Sequence, residues 1–142
     1  MKVLVFSVVL LFATVGVENF AQDKITKPTA ETKDSKVLHV EAEEFDAKRK
    51  ADTNNTVVLD VRTKGEYRAG HIPRSVVIDF TADDFEQQIA KFDKDKTYLV
   101  HCASGGRSAR ACKKMEQLGF KKLYNLEGGM AAWEKAGKPI EK

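Results

Sequence analysis

Residues 101–108 read HCASGGRS and set one cysteine, Cys102, between the apolar, strand-forming run of residues 97–100 and a helical pattern that opens at Ser108. A cysteine at a strand-to-helix turn faces backbone N–H groups and the positive end of the helix macrodipole, and Arg107 adds a guanidinium. All three favour a negative sulfur. Comparable settings lower a thiol pKa from about 8.5 into roughly the 3.5–7.5 range. The chemistry expected of such a group is covalent and nucleophilic, with a thiolate attacking. The competing reading is a structural cysteine that ends a core strand, but it leaves Gly105 and Gly106 beside the sulfur as a conformational cost without a use.

The neighbouring titratable groups offer little else. Strand alternation directs the His101 ring away from the side taken by Cys102, so packing is expected of it and not base catalysis. His39, His71 and His101 lie in unrelated segments without a ligand spacing, which argues against a zinc site, and the chain has no GxxxxGK phosphate loop. No metal and no organic cofactor is expected.

Positioning Cys102 requires a strand framework, and short apolar runs supply one: residues 37–40, 57–61, 76–78, 98–100 and 123–126, separated by helical patterns. This alternation predicts an α/β fold whose parallel sheet is covered by helices on both faces. Thr63 and Glu66 have capping-box spacing, with Gly70 placed to end the short helix they begin. Thr81 is expected to cap a helix carrying Phe85, Ile89 and Phe92 on its core stripe. Ser108, Ala111, Cys112, Met115 and Leu118 share one face of a helix that ends at Gly119, so Cys112 reads as a small core residue. A last amphipathic stretch over residues 128–136 carries Met130 and Trp133.

The composition suits one globular domain: 142 residues, 42% hydrophobic and 32% charged, with a net charge of only +3. The lysines are scattered and form no basic stripe, so nucleic acid is not an expected partner. Residues 1–21 read as a signal peptide, with Lys2 ahead of the apolar run of residues 3–17 and Ala21 before Gln22. Cleavage after Gly16 is the second choice, and a retained membrane anchor is the alternative. Residues 22–35 are polar, contain Pro28 and read as a flexible tether to a domain over residues 36–142. The expected location is exported, periplasmic or secreted, without stable membrane insertion after cleavage. The chain has two cysteines, too few for a disulfide framework.

Three segments taken together resemble the rhodanese-like (sulfurtransferase) family: LDVRTKGEYRAGHIP at residues 59–73, CASGGRS at residues 102–108, and NLEGGMAAWEKAGKP at residues 125–139. The resemblance implies a five-stranded parallel sheet flanked by helices, with the active loop at the carboxyl edge of a strand. It implies that Cys102 is the persulfide-forming nucleophile and Arg107 its catalytic partner. Ala103, Ser104, Gly105, Gly106 and Ser108 would form the loop that receives the substrate sulfur. Asp60 and Arg62 match the family's DVR pair and would brace that loop; Glu66, Tyr67, His71 and Pro73 would be structural. The implied reaction moves a sulfane sulfur from a small-molecule donor such as thiosulfate to a thiol or cyanide acceptor, and a protein acceptor would serve equally. Two positions depart from the family: Ala103 stands where many members carry arginine, and Arg74 stands where glycine is usual. Arg74 would either bring charge to the mouth of the site or sit in water.

Two other functions share these residues. A persulfide carrier or sulfur-delivery module would use the same Cys102 without turnover. A cysteine phosphatase also follows HC with a glycine-bearing loop and an arginine, but that signature has five intervening residues, whereas four separate Cys102 from Arg107. If the leader is removed as read, amino-terminal sequencing of protein recovered from its host will begin at Gln22. Full-length chain in the membrane fraction would mark the segment as an anchor.

Overall fold

The computed structural model describes residues 37–142; residues 1–21 and 22–35, read above as a signal peptide and a tether, lie outside the described residues. Five strands form one fully parallel sheet: β1 (Val37–Val40), β2 (Thr56–Asp60), β3 (Val76–Val77), β4 (Thr97–His101) and β5 (Lys122–Leu126). They are ordered β1-β5-β4-β2-β3, which puts β4 at the centre. Helices α1 (Ala42–Ala51), α2 (Lys64–Ala69), α3 (Phe85–Ile89), α4 (Gly106–Gln117) and α5 (Gly129–Lys135) connect or follow the strands. This is the α/β architecture that the alternating runs predict.

Because side chains alternate along each strand, the sheet divides the core in two. Tyr98, Val100 and Cys102 of the central strand and its exit pack with α3 and α4, through Phe85, Ile89, Ala111, Cys112 and Met115. Leu99 turns to the opposite face, where Phe45 of α1 and Met130 and Trp133 of α5 cover Val58 and Leu126. His101 follows Leu99 to that face and meets the Phe45 ring edge-on at 6.3 Å. Cys102 and His101 therefore point apart, as strand alternation requires.

Local signals set most helix ends. The α2 capping box is complete: the Glu66 amide donates to Thr63 Oγ1 at 3.2 Å, and the Thr63 amide donates to Glu66 Oε2 at 3.0 Å. Gly70 closes that helix. Helix α3 departs from expectation, beginning at Phe85 behind Asp84 and not at Thr81. The Thr81 hydroxyl donates to Asp79 Oδ1 at 2.6 Å, a local turn that competes with helix capping. Phe85 and Ile89 are still buried, and Phe92 packs against the same core from just beyond the helix.

Cys112 is fully enclosed by this packing, and burial pushes its thiol up to about 12, with Glu116 and Cys102 adding to the effect. It is a core side chain. Cys112→Ser should cost about 1–3 kcal/mol of stability by placing a hydroxyl in that core, while the reactivity expected of Cys102 survives. Thermal denaturation alongside an activity assay checks both parts.

Candidate active site

The site grows from the point where β4 ends. The Cys102 residue is only 1% exposed, so its sulfur depends on the protein for solvation. Gly105 adopts a left-handed conformation, φ 99°, and caps α4, which starts at once with Gly106. A side chain at Gly105 would be strained, and its Cβ would sit 3.3 Å from the Gly128 nitrogen. The reversal turns the Gly105 amide onto Cys102 Sγ at 3.1 Å. One turn into α4, the buried Ser108 hydroxyl lies within donating distance of both the same sulfur, at 3.4 Å, and the Gly105 carbonyl, at 3.1 Å, which share its one proton.

Burial by itself pushes the Cys102 thiol up. The Ser108 hydroxyl and the amides of Ser108, Ser104 and Gly105 outweigh it, and the pKa falls below the ordinary thiol value. The loop thus stabilises a thiolate with fixed dipoles and a hydroxyl, and with no side-chain base. His101 is not a proton acceptor for the sulfur: burial lowers its pKa to about 4 against the pull of Asp60, and its ring lies on the other face of the sheet.

The Arg107 guanidinium is paired with a carboxylate of α2. Its Nη1 and Nη2 donate to Glu66 Oε2 and Oε1 at 2.8 and 2.7 Å, a bidentate pair that joins the first turn of α4 to α2. These bonds, partly offset by burial and supplemented by those from Thr63, hold the Glu66 carboxyl down at about 2. The Arg107 charge still reaches Cys102 through space, and each favours the ionised form of the other. Glu66 thus does more than its capping-box spacing announces. That spacing explains its place in α2 but gives no sign of a partner 41 residues away.

Arg62 forks onto Asp60 through Nε and Nη2, and Nη2 donates to the Gly70 carbonyl at 2.8 Å, so the pair braces the end of α2. Its link to the site is indirect, through His101, whose Nε2 lies 3.6 Å from Asp60 Oδ2. Of the remaining loop residues, Ser104 and Gly106 are exposed at the mouth, and a Cβ on Gly106 would meet nothing within 4 Å. Arg74 is exposed and left-handed, φ 63°, and lies by Thr56 at the opposite edge of the sheet from the mouth.

Gly129 is the residue that motif reading passed over. Helix α5 docks its first turn on the active loop: the Met130 amide donates to the Cys102 carbonyl at 2.8 Å, and Ala131 donates to the Ala103 carbonyl at 3.1 Å. The approach leaves no room for a side chain, because a Cβ on Gly129 would overlap the Cys102 carbonyl oxygen and come within 2.7 Å of the Ala103 carbonyl carbon. The glycine pair in NLEGG was the available signal. A separate cleft of about 530 Å³, lined by residues including Glu41, Glu127 and Lys135, contains no residue of the cysteine loop.

Comparison with known proteins agrees with this geometry. Residues 42–136 match the model of the rhodanese-like domain. A sulfurtransferase of Allochromatium vinosum is 33% identical over 94 residues, covering 66% of this chain and 86% of that protein. A rhodanese-related protein from Thermoplasma volcanium superimposes with a TM-score of 0.63 at 30% identity, covering 73% of this chain and 97% of its own. A rhodanese-like domain protein from Staphylococcus aureus gives a TM-score of 0.62, also at 30% identity, covering 74% and 99%. With the fold, the cysteine loop and the extent of the match in agreement, the chain belongs to the rhodanese-like family.

Proposed function

We propose that this protein is an exported sulfurtransferase that carries a sulfane sulfur as a persulfide on Cys102. The observation that carries this reading is the convergence of the Gly105 amide and the Ser108 hydroxyl on one sulfur atom at the head of α4. A donor such as thiosulfate fits the first half-reaction. The Cys102 thiolate attacks its outer sulfur, a new S–S bond forms, and the old S–S bond breaks with its electron pair leaving on sulfite. In the second half, a thiol or cyanide attacks the terminal sulfur and the electron pair of the persulfide bond returns to Cys102. The same loop dipoles stabilise the anion at each stage; cyanide or a thiolate attacks without a proton transfer, and a neutral thiol gives up its proton to solvent.

The arrangement favours sulfur over phosphorus. A phosphatase loop needs amides and an arginine free to surround a tetrahedral oxyanion. Here the amides meet at a point and Arg107 is committed to Glu66. A protein acceptor remains compatible with the same chemistry, and steady turnover with a small thiol distinguishes an enzyme from a stoichiometric carrier.

Intact-mass measurement after exposure to thiosulfate should show the gain of one sulfur atom, lost on addition of cyanide. Cys102→Ser should abolish the gain and leave the melting temperature nearly unchanged. Ser108→Ala removes one hydrogen bond to a charged group, worth about 1.5–3 kcal/mol, and should raise the Cys102 pKa by about one unit or more. Ultraviolet thiolate absorbance against pH reads that shift, and an unmoved titration would remove Ser108 from the set of sulfur ligands.

Glu66→Gln keeps a capping side chain but loses the ion pair. Sulfur transfer should fall severalfold while the Cys102 pKa stays below the ordinary thiol value, because Ser108 and the loop amides that lower it are untouched. The variant should also respond differently to acid. Glu66 has its folded pKa held at about 2, below the unfolded value of 4.5, so its contribution is present above the unfolded value and is lost as pH falls toward 2. Acid denaturation of Glu66→Gln should therefore be shallower across that window.

A further inference from the structure

We propose that a small cavity at the amino-terminal edge of the sheet, lined by Arg49, Thr53, Thr56, Val58 and Arg74, binds a tetrahedral oxyanion of the sulfate or phosphate type. The proposal is independent of the chemistry at Cys102. Thr56 pairs with Thr97 at one end of β2, whereas Asp60 pairs with His101 next to the nucleophile at the other. Four residue steps along the strand separate the two ends, about 13 Å.

The cavity holds about 80 Å³, room for one small oxyanion where liquid water takes about 30 Å³ per molecule. Two guanidinium-bearing and two hydroxyl-bearing residues line it, and none of its lining residues carries a carboxylate. Guanidinium groups match the oxygens of such an anion in pairs, and hydroxyls add donors.

Arg49 is paired with Asp46 but shares that carboxylate with two lysines, and Arg74 is the second cation of the cavity. Arg49 is only 7% exposed and donates Nε and Nη2 to Asp46 Oδ1 at 3.0 and 2.7 Å, which leaves Nη1 outside that pair. Asp46 also takes Lys50 at 2.6 Å and has Lys138 at 3.6 Å, so one carboxylate faces three cations. Lys138 has a second partner in Glu43 at 2.6 Å. Glu141 Oε2 accepts the Arg74 backbone N–H at 3.3 Å and lies 3.8 Å from His71.

The Arg74 backbone is a second, independent indication. At φ 63° it is the one non-glycine residue with positive φ among the described residues, in a turn where glycine carries no steric penalty. A long cation is held at a position whose backbone favours glycine, and an anion in the cavity gives that cation a use.

Titrating inorganic phosphate into the ¹⁵N-labelled chain at constant ionic strength tests the assignment. Saturable amide shifts at Thr53, Thr56 and Arg74, displaced in turn by sulfate, are the expected result. Arg74→Gly should keep or raise the melting temperature, because glycine suits the turn, and should weaken phosphate binding at least tenfold. Thr56→Val, which suits a strand, should weaken it less. Shifts confined to residues 103–108, shifts that stay linear with concentration, or wild-type affinity in Arg74→Gly would each overturn the proposal.

Discussion

A sulfur that ionises where water barely reaches has to be solvated by the protein itself, and most of the local structure follows from that requirement. Cys102 lies at the exit of the central strand, with its residue almost wholly covered. Dipoles must come to it from its own chain, because the sheet closes one side and α4 the other. The chain delivers them by reversing through a left-handed Gly105 and entering a helix at the next residue. Ser108, one turn in, then falls on the inward face beneath the sulfur, while Arg107 beside it falls outward onto Glu66. Loop length, glycine and helix start are one solution to one electrostatic problem.

The sheet keeps this solution separate from the rest of the polar interior. Asp60, Arg62 and His101 are all buried near the same strand ends, yet the alternation of β4 sends His101 to the face opposite Cys102. A neutral His101 there neither competes for the proton of the thiol nor adds charge beside the thiolate. The Asp60–Arg62 fork is spent on the Gly70 carbonyl, fixing the end of α2. Because Glu66 belongs to α2, the rigidity of that helix is passed to Arg107 through the bidentate pair.

Features that depend on near neighbours in sequence were legible; those that depend on distant ones were less so. The capping box of Thr63 and Glu66, the burial of Cys112 and the outward turn of His101 from the sulfur follow from spacings of a few residues, and the structure has each of them. The nucleophilic loop was equally plain, since a strand, a cysteine and a glycine turn are contiguous. Thr81 was misread because two local signals compete there, and the Asp79 carboxylate took the hydroxyl that a helix cap would have used. The destination of Arg107 was hidden for another reason. A guanidinium can reach many partners, and only the packing of α2 against α4 selects Glu66. The close fit at Gly129 was hidden likewise, because a glycine's reason for being small lies in whatever touches it.

Under the proposed function, that fit also bears on how sulfur would leave the protein. The carbonyls of Cys102 and Ala103 accept hydrogen bonds from Met130 and Ala131, so the active loop serves as the amino-terminal cap of α5. Helix α5 in turn is seated on the core through Trp133, whose indole N–H donates to the Pro139 carbonyl at 2.9 Å. The loop therefore cannot swing outward to present its cargo without uncapping a helix anchored by one of the largest side chains in the core. The sulfur stays where it is loaded, at the bottom of a stationary berth. Traffic must come to it, which selects acceptors with a slender, protruding nucleophile over those whose reactive group is flush with a broad surface.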